Sequence, residues 1–343
     1  MDRFTRLVDP GTMAEFGSRV GAAAGIAASF LSEHRGEKFG GNGPLITSAL
    51  SDIYSNEIDL AYIGAMGAHE VLPVYRDALE AKTEALYTLA EPAYSNCLEF
   101  EDGKLMLCDL SSCSEITWER LIERVGADAL DALLSKAEFI AAVNWGKLPH
   151  VGGIWRQLAR RLRELDISAK QVKFFMDLAE FEHRSDADRT ELIDVVAEVT
   201  QQCDTVLSFN LREAWLMAET LGGSYTGRKE AESVADCANF LKTRIETDRL
   251  IIHPNDGAAC ASASGTVYLP GPYCDKPLIS TGAGDNFGAG CLAAWLEGLD
   301  DAGILMAGNC ASGYFVRSGR SISFAGMCAL LDSWSANTLA DRL

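Results

Sequence analysis

The middle of the chain alternates short apolar runs with stretches in which apolar residues recur at helical spacing. The runs predict buried β-strands, and the spacing predicts amphipathic helices. The predicted strands are 139–144, 172–178, 203–210 and 249–254. The predicted helices are 152–165, 187–202, 211–221 and 230–245. Strands that alternate with helices in this way favour an α/β fold whose mostly parallel sheet is covered on both faces.

Polar side chains stand at the ends of three of the predicted strands, namely Asn144, Asp177 and Asn210. Ligands of open parallel sheets bind at the carboxyl ends of the strands. We therefore expect these three residues to matter more than their neighbours, with Asn144 as a substrate contact. Asn144 is also compatible with a simple turn, and Asp177 with a helix cap or an ion pair.

Two stretches break the strand–helix alternation. Residues 97–110 alternate around Asp102-Gly103, a strong hairpin signal, and residues 258–269 contain a second predicted hairpin around Gly265. The segments of about 24–40 and 95–112 are interpreted as a small β appendage on an α/β body. The absence of repeats and long linkers predicts a single domain over residues 1–343.

The charge of the chain narrows the classes of partner. Lys and Arg number 30 and Asp and Glu number 49, which gives a formal net charge of −19. Polyanion binding needs a basic face, so we expect no nucleic-acid partner and no anionic-membrane partner. The longest apolar segment, 21–31, is shorter than the roughly 20 residues of a membrane-spanning helix. The 10 cysteines form no C-x-x-C pair, which predicts free thiols in the cytoplasm.

The segment 279–292, I-S-T-G-A-G-D-N-F-G-A-G-C-L, carries the strongest chemical signal. Small residues at a helix start leave backbone N–H groups open to an anion, and the helix dipole favours negative charge there. Asp285 in the first helical turn could then accept a proton beside that anion. An anion hole with a carboxylate is suited to phosphoryl transfer to an alcohol. A tight turn followed by an acidic first turn explains the segment equally well.

Residues 281–287, T-G-A-G-D-N-F, closely resemble the carboxyl-terminal signature of the ribokinase-like (PfkB) carbohydrate kinases, D-T-x-G-A-G-D-x-F. Three further motifs follow in the order of that family: F-G-G-N-G-P at 39–44, Y-I-G-A-M-G at 62–67 and N-L-R-E at 210–213. Together they cover roughly residues 39–318. The resemblance implies a three-layer sandwich with a central, mostly parallel sheet, on which the β appendage forms a lid.

The resemblance also implies an ATP- and Mg²⁺-dependent kinase that phosphorylates a hydroxyl of a sugar or sugar-like alcohol. Asp285 would be the catalytic base, and Gly282, Ala283 and Gly284 would form the anion hole. The other implied contacts are the sugar at Asp2, Gly40, Gly41 and Asn42, the nucleotide at Asn210, Thr281, Gly257 and Asn309, and magnesium at Glu213. Asn210 and Glu213 are also explained as a capping box at a helix start, and Asn309 as a residue that only packs.

Several positions depart from the family pattern. Ile279 stands where the family usually has Asp, which leaves activation by a monovalent cation open. Ala68-His69-Glu70 follows the I-G-x-x-G motif where G-D-D is frequent, and Leu45 replaces a frequent Asn. The first strand of the family is expected to be missing, because Asp2 resembles the sugar-binding Asp that ends that strand. Asp2 is equally compatible with a surface acid at a frayed terminus.

Alternatives to a sugar kinase remain at this point. Gly282, Gly284 and Gly288 form a loose G-x-G-x-x-x-G string, which would suit a dinucleotide-dependent oxidoreductase, but the string lies late in the chain. A nucleoside kinase of the same fold and a catalytically silent ligand-binding relative are the others. The absence of a basic cluster near the sugar motifs favours a neutral sugar. The lid of relatives sometimes dimerises, so we expect a homodimer.

Overall fold

The apolar runs form strands and the amphipathic stretches form helices. The computed structural model describes residues 1–343 apart from the side chain of Lys104. The strands are β1 (Asp2–Asp9), β2 (Leu31–Lys38), β3 (Ala61–Gly64), β4 (Ala85–Thr88), β5 (Tyr94–Glu99), β6 (Lys104–Asp109), β7 (Phe139–Val143), β8 (Lys173–Asp177), β9 (Asp204–Asn210), β10 (Arg249–His253), β11 (Gly257–Ser262) and β12 (Gly265–Pro270). The α-helices are α1 (Met13–Ala22), α2 (Asn42–Ile53), α3 (Pro73–Leu79), α4 (Trp118–Val125), α5 (Ala127–Lys136), α6 (Val151–Glu164), α7 (Asp186–Gln202), α8 (Leu211–Thr220), α9 (Ala231–Lys242), α10 (Ala283–Leu296), α11 (Asp301–Ser318) and α12 (Phe324–Ser335). The elements predicted in the middle of the chain therefore form within a few residues of their expected bounds.

A six-stranded sheet lies at the centre, in the order β12-β11-β10-β9-β8-β7. Strands β7 to β10 are parallel, whereas the hairpin of β11 and β12 continues the sheet antiparallel. Val143 pairs with Asp177, and Asn210 pairs with His253, so the carboxyl ends of the parallel strands share one edge. The predicted mostly parallel sheet is confirmed.

Alternate residues of the central strands face two separate hydrophobic clusters. In β8, Phe174 and Met176 belong to one cluster and Phe175 belongs to the other. Helices α4 to α9 cover the first cluster, and α2, α10, α11 and α12 cover the second. Because strand side chains alternate with a period of two, this division produces helix, sheet and helix layers. The three-layer sandwich implied by the sequence is confirmed.

A second, four-stranded sheet has the order β2-β1-β5-β6. Its β5–β6 hairpin turns at Asp102-Gly103, and β2 lies within the segment 24–40. Strand β1, which the sequence-based interpretation did not include, pairs with both β2 and β5. Asp2 is the first residue of β1, and the missing first strand of the family stays a prediction. Strands β3 and β4 form a separate parallel pair.

No helix in the described part of the chain is both long enough and apolar enough to cross a membrane.

Helices α10 and α11 approach each other closely because glycines face the contact. A Cβ atom on Gly290 would lie 2.5 Å from the carbonyl oxygen of Ala307, and one on Gly308 would lie 2.5 Å from the sulfur of Cys291. Helix α10 is almost entirely buried and begins at the G-A-G-D motif. Its packing on α11 therefore fixes the position of that motif relative to the central sheet.

We predict that Gly290→Ala destabilises the fold by about 1–3 kcal/mol, because the added methyl must displace the α11 backbone. Gly153→Ala is the matched control, since this glycine is exposed in α6 with no atom within 4 Å of the added Cβ. The control should be stabilised by about 0.5–1 kcal/mol through the better helix propensity of alanine. Thermal or urea unfolding measures both changes, and equal effects of the two substitutions would contradict the packing argument.

Candidate active site

A cleft of about 1740 Å³ opens at the carboxyl edge of the parallel strands and runs under the small sheet. Most of the residues singled out from the sequence line it. These are Asp2, Gly40, Gly41, Asn42, Asn144, Asn210, Glu213, Thr281, Gly282, Gly284 and Asp285. Ala283 lies between two lining residues at the start of α10. The structure thus brings together residues from both ends of the chain.

The start of α10 is shaped by Gly282, which has φ 98° and ψ −4°. This left-handed conformation is costly for residues with a Cβ, so the turn requires glycine. The N–H of Ala283 donates to the carbonyl of Ser280, and the first helical bond runs from the N–H of Asn286 to the carbonyl of Gly282. Helix geometry therefore gives the N–H groups of Gly284 and Asp285 no partner within the helix. These two donors, rather than that of Ala283, are oriented to hold an anion.

Asp285 lies in the first turn of α10, beside this anion site. Burial, reinforced by the nearby negative charge of Asp177, raises its pKa to about 7. Its Oδ1 atom is buried and has no hydrogen-bond partner among the described residues. A buried carboxylate oxygen without a donor is unfavourable, and it is available to accept a proton from a ligand.

Asn210 and Glu213 form the capping box of α8. Asn210 Oδ1 accepts from the N–H of Glu213 at 2.9 Å, and Glu213 Oε2 accepts from the N–H of Asn210 at 3.0 Å. Asn210 Nδ2 also donates to Glu213 Oε1 at 2.6 Å. Burial and repulsion from Asp177 raise the pKa of Glu213. The capping box predicted from the sequence is confirmed, while the magnesium role of Glu213 stays a prediction.

Asp177 lies at the centre of the site, although the sequence marked it only as one polar strand end. Its side chain is 8% exposed and accepts hydrogen bonds at 3.3 Å from Asn42 Nδ2 and from the N–H of Ala179. Burial raises its pKa, whereas these donors partly offset the effect. Because its charge acts on both Glu213 and Asp285, Asp177 couples the two other acids. That coupling depends on tertiary proximity and has no signal in the sequence.

The predicted sugar residues meet where β1 approaches the loop before α2. A Cβ on Gly40 would lie 2.6 Å from Asp2 Oδ2, so glycine makes room for the carboxylate. Gly41 has φ 98° and precedes Asn42, the first residue of α2. Asn144 has φ 69°, and its N–H donates to the carbonyl of Asp177 at 2.8 Å. Asn144 is therefore a turn residue that also lines the cleft.

Gly257 and Asn309 do not line the cleft. Asn309 Nδ2 donates to the carbonyls of Leu269 and Pro270, both at 3.3 Å, which matches its reading as a packing residue. Gly257 begins β11, where a Cβ would lie 2.4 Å from the hydroxyl of Tyr268. Their proposed place beside the adenine stays a prediction.

The charged lining of the cleft is mainly acidic. Around the site lie the carboxylates of Asp2, Asp177, Glu180, Glu213 and Asp285. Lys147 and Lys136 are the lysines among the described lining residues, and no arginine is among them. Lys147, which sequence reasoning did not single out, lies 3.5 Å from Glu180. Among the described residues, no three or more His, Cys, Asp or Glu side chains are close enough together to hold a metal ion directly.

This fold and cleft define the ribokinase-like class. The ribokinase of Arabidopsis thaliana, in complex with ribose and ATP, superposes with a TM-score of 0.67 at 14% identity, over 96% of this chain and 95% of that one. The adenosine kinase of Sinorhizobium meliloti superposes with a TM-score of 0.64 at 15% identity, over 97% and 96%. At these identities the likeness shows the fold.

Sequence comparison shows the family to which the chain belongs. A model of the prokaryotic ketohexokinase family matches residues 4–334, and the chain belongs to that family. A ketohexokinase of Haloferax volcanii is 28% identical over 235 residues, which make up 68% of this chain and 60% of that protein. The chain thus matches about 60% of the length of this curated relative. The resemblance to the ribokinase-like carbohydrate kinases is confirmed.

Proposed function

We propose that this protein is an ATP-dependent kinase that transfers the γ-phosphoryl group to a hydroxyl of a ketohexose. The observation that carries the proposal is the buried, unpaired Oδ1 of Asp285 beside the free N–H groups at the start of α10. The family and its curated relative are both named for ketohexose phosphorylation, which supports the choice of sugar. An adenosine kinase shares only the fold, so a nucleoside acceptor is the outcome to test against.

The size and charge of the cleft support two substrates, one of which is neutral. Its volume of about 1740 Å³ exceeds the roughly 300–1,000 Å³ that is usual for a single ligand. The acidic lining around Asp2 and Asp177 would repel an acceptor that already carries phosphate. Neutral hydroxyls can instead donate to these carboxylates. We therefore assign the sugar to the side of Asp2, Gly40 and Asn42.

In the proposed reaction, the N–H groups of Gly284 and Asp285 hold the phosphoryl group that is transferred. Asp285 accepts the proton of the attacking hydroxyl, and its position beside the anion site allows an in-line approach. The raised pKa of Asp285 makes it a better base than an exposed carboxylate while it stays largely ionised above neutral pH. These roles need no movement of α10, because its packing on α11 already fixes both groups.

The donor set fits magnesium bound mainly through water. The charge of Asp177 adds to the raised pKa values of both Glu213 and Asp285, so a cation near these carboxylates is favoured. Mg²⁺ prefers oxygen ligands and keeps several waters. Asn210, Glu213 and Asp177 would hold those waters. When bound, Mg²⁺ would neutralise charge on the nucleotide phosphates.

The small sheet covers the sugar side of the cleft, where Asp2, Ser95 and Cys108 line it. We propose that this sheet is the lid of a single domain. It also carries exposed apolar residues, with Leu31 68% and Leu107 53% exposed, and these are where we place a homodimer contact.

A coupled ADP-release assay over ketohexoses, aldoses and nucleosides tests the proposed function. We expect turnover with a ketohexose such as fructose and little with adenosine. Asp285→Asn should lower the rate by about 10²- to 10⁴-fold, because it removes the proton acceptor while it keeps the shape. Glu232→Gln, which changes an exposed acid in the first turn of α9, is the matched control. Full activity of Asp285→Asn, or preference for a nucleoside, would refute the proposal.

The pH dependence of the reaction follows from the raised pKa of Asp285, which is about 7. The base acts as carboxylate, so kcat/KM should fall about tenfold per pH unit below that pKa and level off above it. Asp177→Asn should move this acid limb to lower pH, because it removes the negative charge that helps to raise the pKa. Initial rates at low ketose concentration give the profile. An acid limb near pH 4 would show that Asp285 titrates like an ordinary carboxyl.

Asn210 should act both as a cap and in nucleotide binding, and Ser185 offers a control for the cap alone. Both residues form capping boxes, but Ser185 is the N-cap of α7 and does not line the cleft. Each change to Ala should cost about 1 kcal/mol in the free energy of unfolding. Only Asn210→Ala should raise the KM for Mg-ATP. Equal KM values in the two variants would leave Asn210 with a capping role only.

A further inference from the structure

His253 ends β10 at the same edge of the sheet as Asn210, with which it is paired. Its ring stacks on Phe287 of α10, with 4.6 Å between ring centroids and 26° between planes. The Cε1 atom of the ring lies 3.5 Å from the position that a Cβ on Gly284 would occupy. The imidazole is therefore held against the first turn of the helix whose N–H groups face the anion site.

The polar atoms of this ring are unused by the protein. Cε1 is bonded to both ring nitrogens, so the edge that carries them is the edge near Gly284. Among the described residues, neither nitrogen of His253 has a hydrogen-bond partner, and its ring contact is the stacking on Phe287. His253 also lines the cleft. The nitrogens are not among the fully buried side-chain atoms that lack a partner, so they are open to the cleft, where a ligand can accept a hydrogen bond from the ring.

The protonation state of the His253 ring suits a site that contains several carboxylates. Burial lowers the pKa of His253 to about 4, so at neutral pH the ring is uncharged and carries one N–H donor. A lysine or arginine at this place would add a positive charge to the acidic site, and a nearby positive charge lowers the pKa of a carboxylate and makes it a weaker base. A neutral donor can bind a phosphate oxygen without this effect.

We propose that His253 donates a hydrogen bond from its ring to the phosphate chain of the nucleotide, at the start of α10, with Phe287 holding the plane of the ring. This inference rests on the proposed kinase function and adds a side-chain donor to the two backbone donors of Gly284 and Asp285. It makes His253 a residue that binds the nucleotide phosphates, not the adenine.

The test is calorimetric binding of Mg-ATP and of adenosine to the whole chain, without an acceptor sugar. His253→Phe keeps a flat ring on Phe287 but removes the donor, and we expect it to weaken Mg-ATP binding about tenfold or more. It should leave the affinity for adenosine unchanged. His253→Gln keeps an N–H donor and should recover most of the Mg-ATP affinity. His150→Phe makes the same change at an exposed histidine outside the cleft and should have no effect.

Unchanged Mg-ATP binding by both His253→Phe and His253→Gln would overturn the inference and leave His253 as a packing residue. Equal losses for Mg-ATP and adenosine would also overturn it, because they would indicate a general distortion or a contact with the nucleoside. Failure of the kinase function itself gives a different result. In that case the unmodified chain phosphorylates no sugar, whether or not His253→Phe changes nucleotide binding.

Discussion

The carboxylates of Asp177, Glu213 and Asp285 lie at one edge of the parallel sheet, and the burial of these acids, together with the charge of Asp177, is the constraint around which the site is built. The pKa values of all three are raised by burial, and those of Glu213 and Asp285 are raised further by Asp177. The groups that offset this are neutral donors, such as the amides of Asn42 and Asn210, and the ammonium of Lys147, which acts on Glu213; no arginine is among the described lining residues. The carboxylates therefore remain available to a cation and to a hydroxyl proton.

The same constraint bears on the proposed binding of an anionic nucleotide by a chain of net charge −19. The attractive groups are backbone N–H groups at the start of α10, whose partial charges act over a short distance and in a fixed direction. A cluster of lysines would also attract phosphate, but it would pair with Asp177 and Asp285 and lower their basicity. The acidity of the whole protein and an anion site in its cleft are thus compatible.

The elements of the central sheet were predictable because their side chains alternate between two apolar cores. Strand β2 could not be defined in this way, since all but one of its residues are exposed, and β1 shows no regular alternation of buried residues. Most residues of the site were predicted from motifs, but the electrostatic effect of Asp177 on the other two acids was not. Asp177 acts on Glu213 and Asp285 through space, across three different strand–helix units, and no local pattern in the sequence contains that relation.

The glycines of the segment that begins at Thr281 serve two separate physical needs. Gly282 provides the left-handed turn at the start of α10. Gly288 and Gly290 instead face Phe175 and the backbone of Ala307, where a Cβ would lie 3.2 and 2.5 Å from the nearest atoms. The first half of the segment is therefore constrained by the backbone turn and the second half by close packing. Because Asp285 and Gly290 belong to the same helix, the close packing at Gly290 also fixes the position of Asp285.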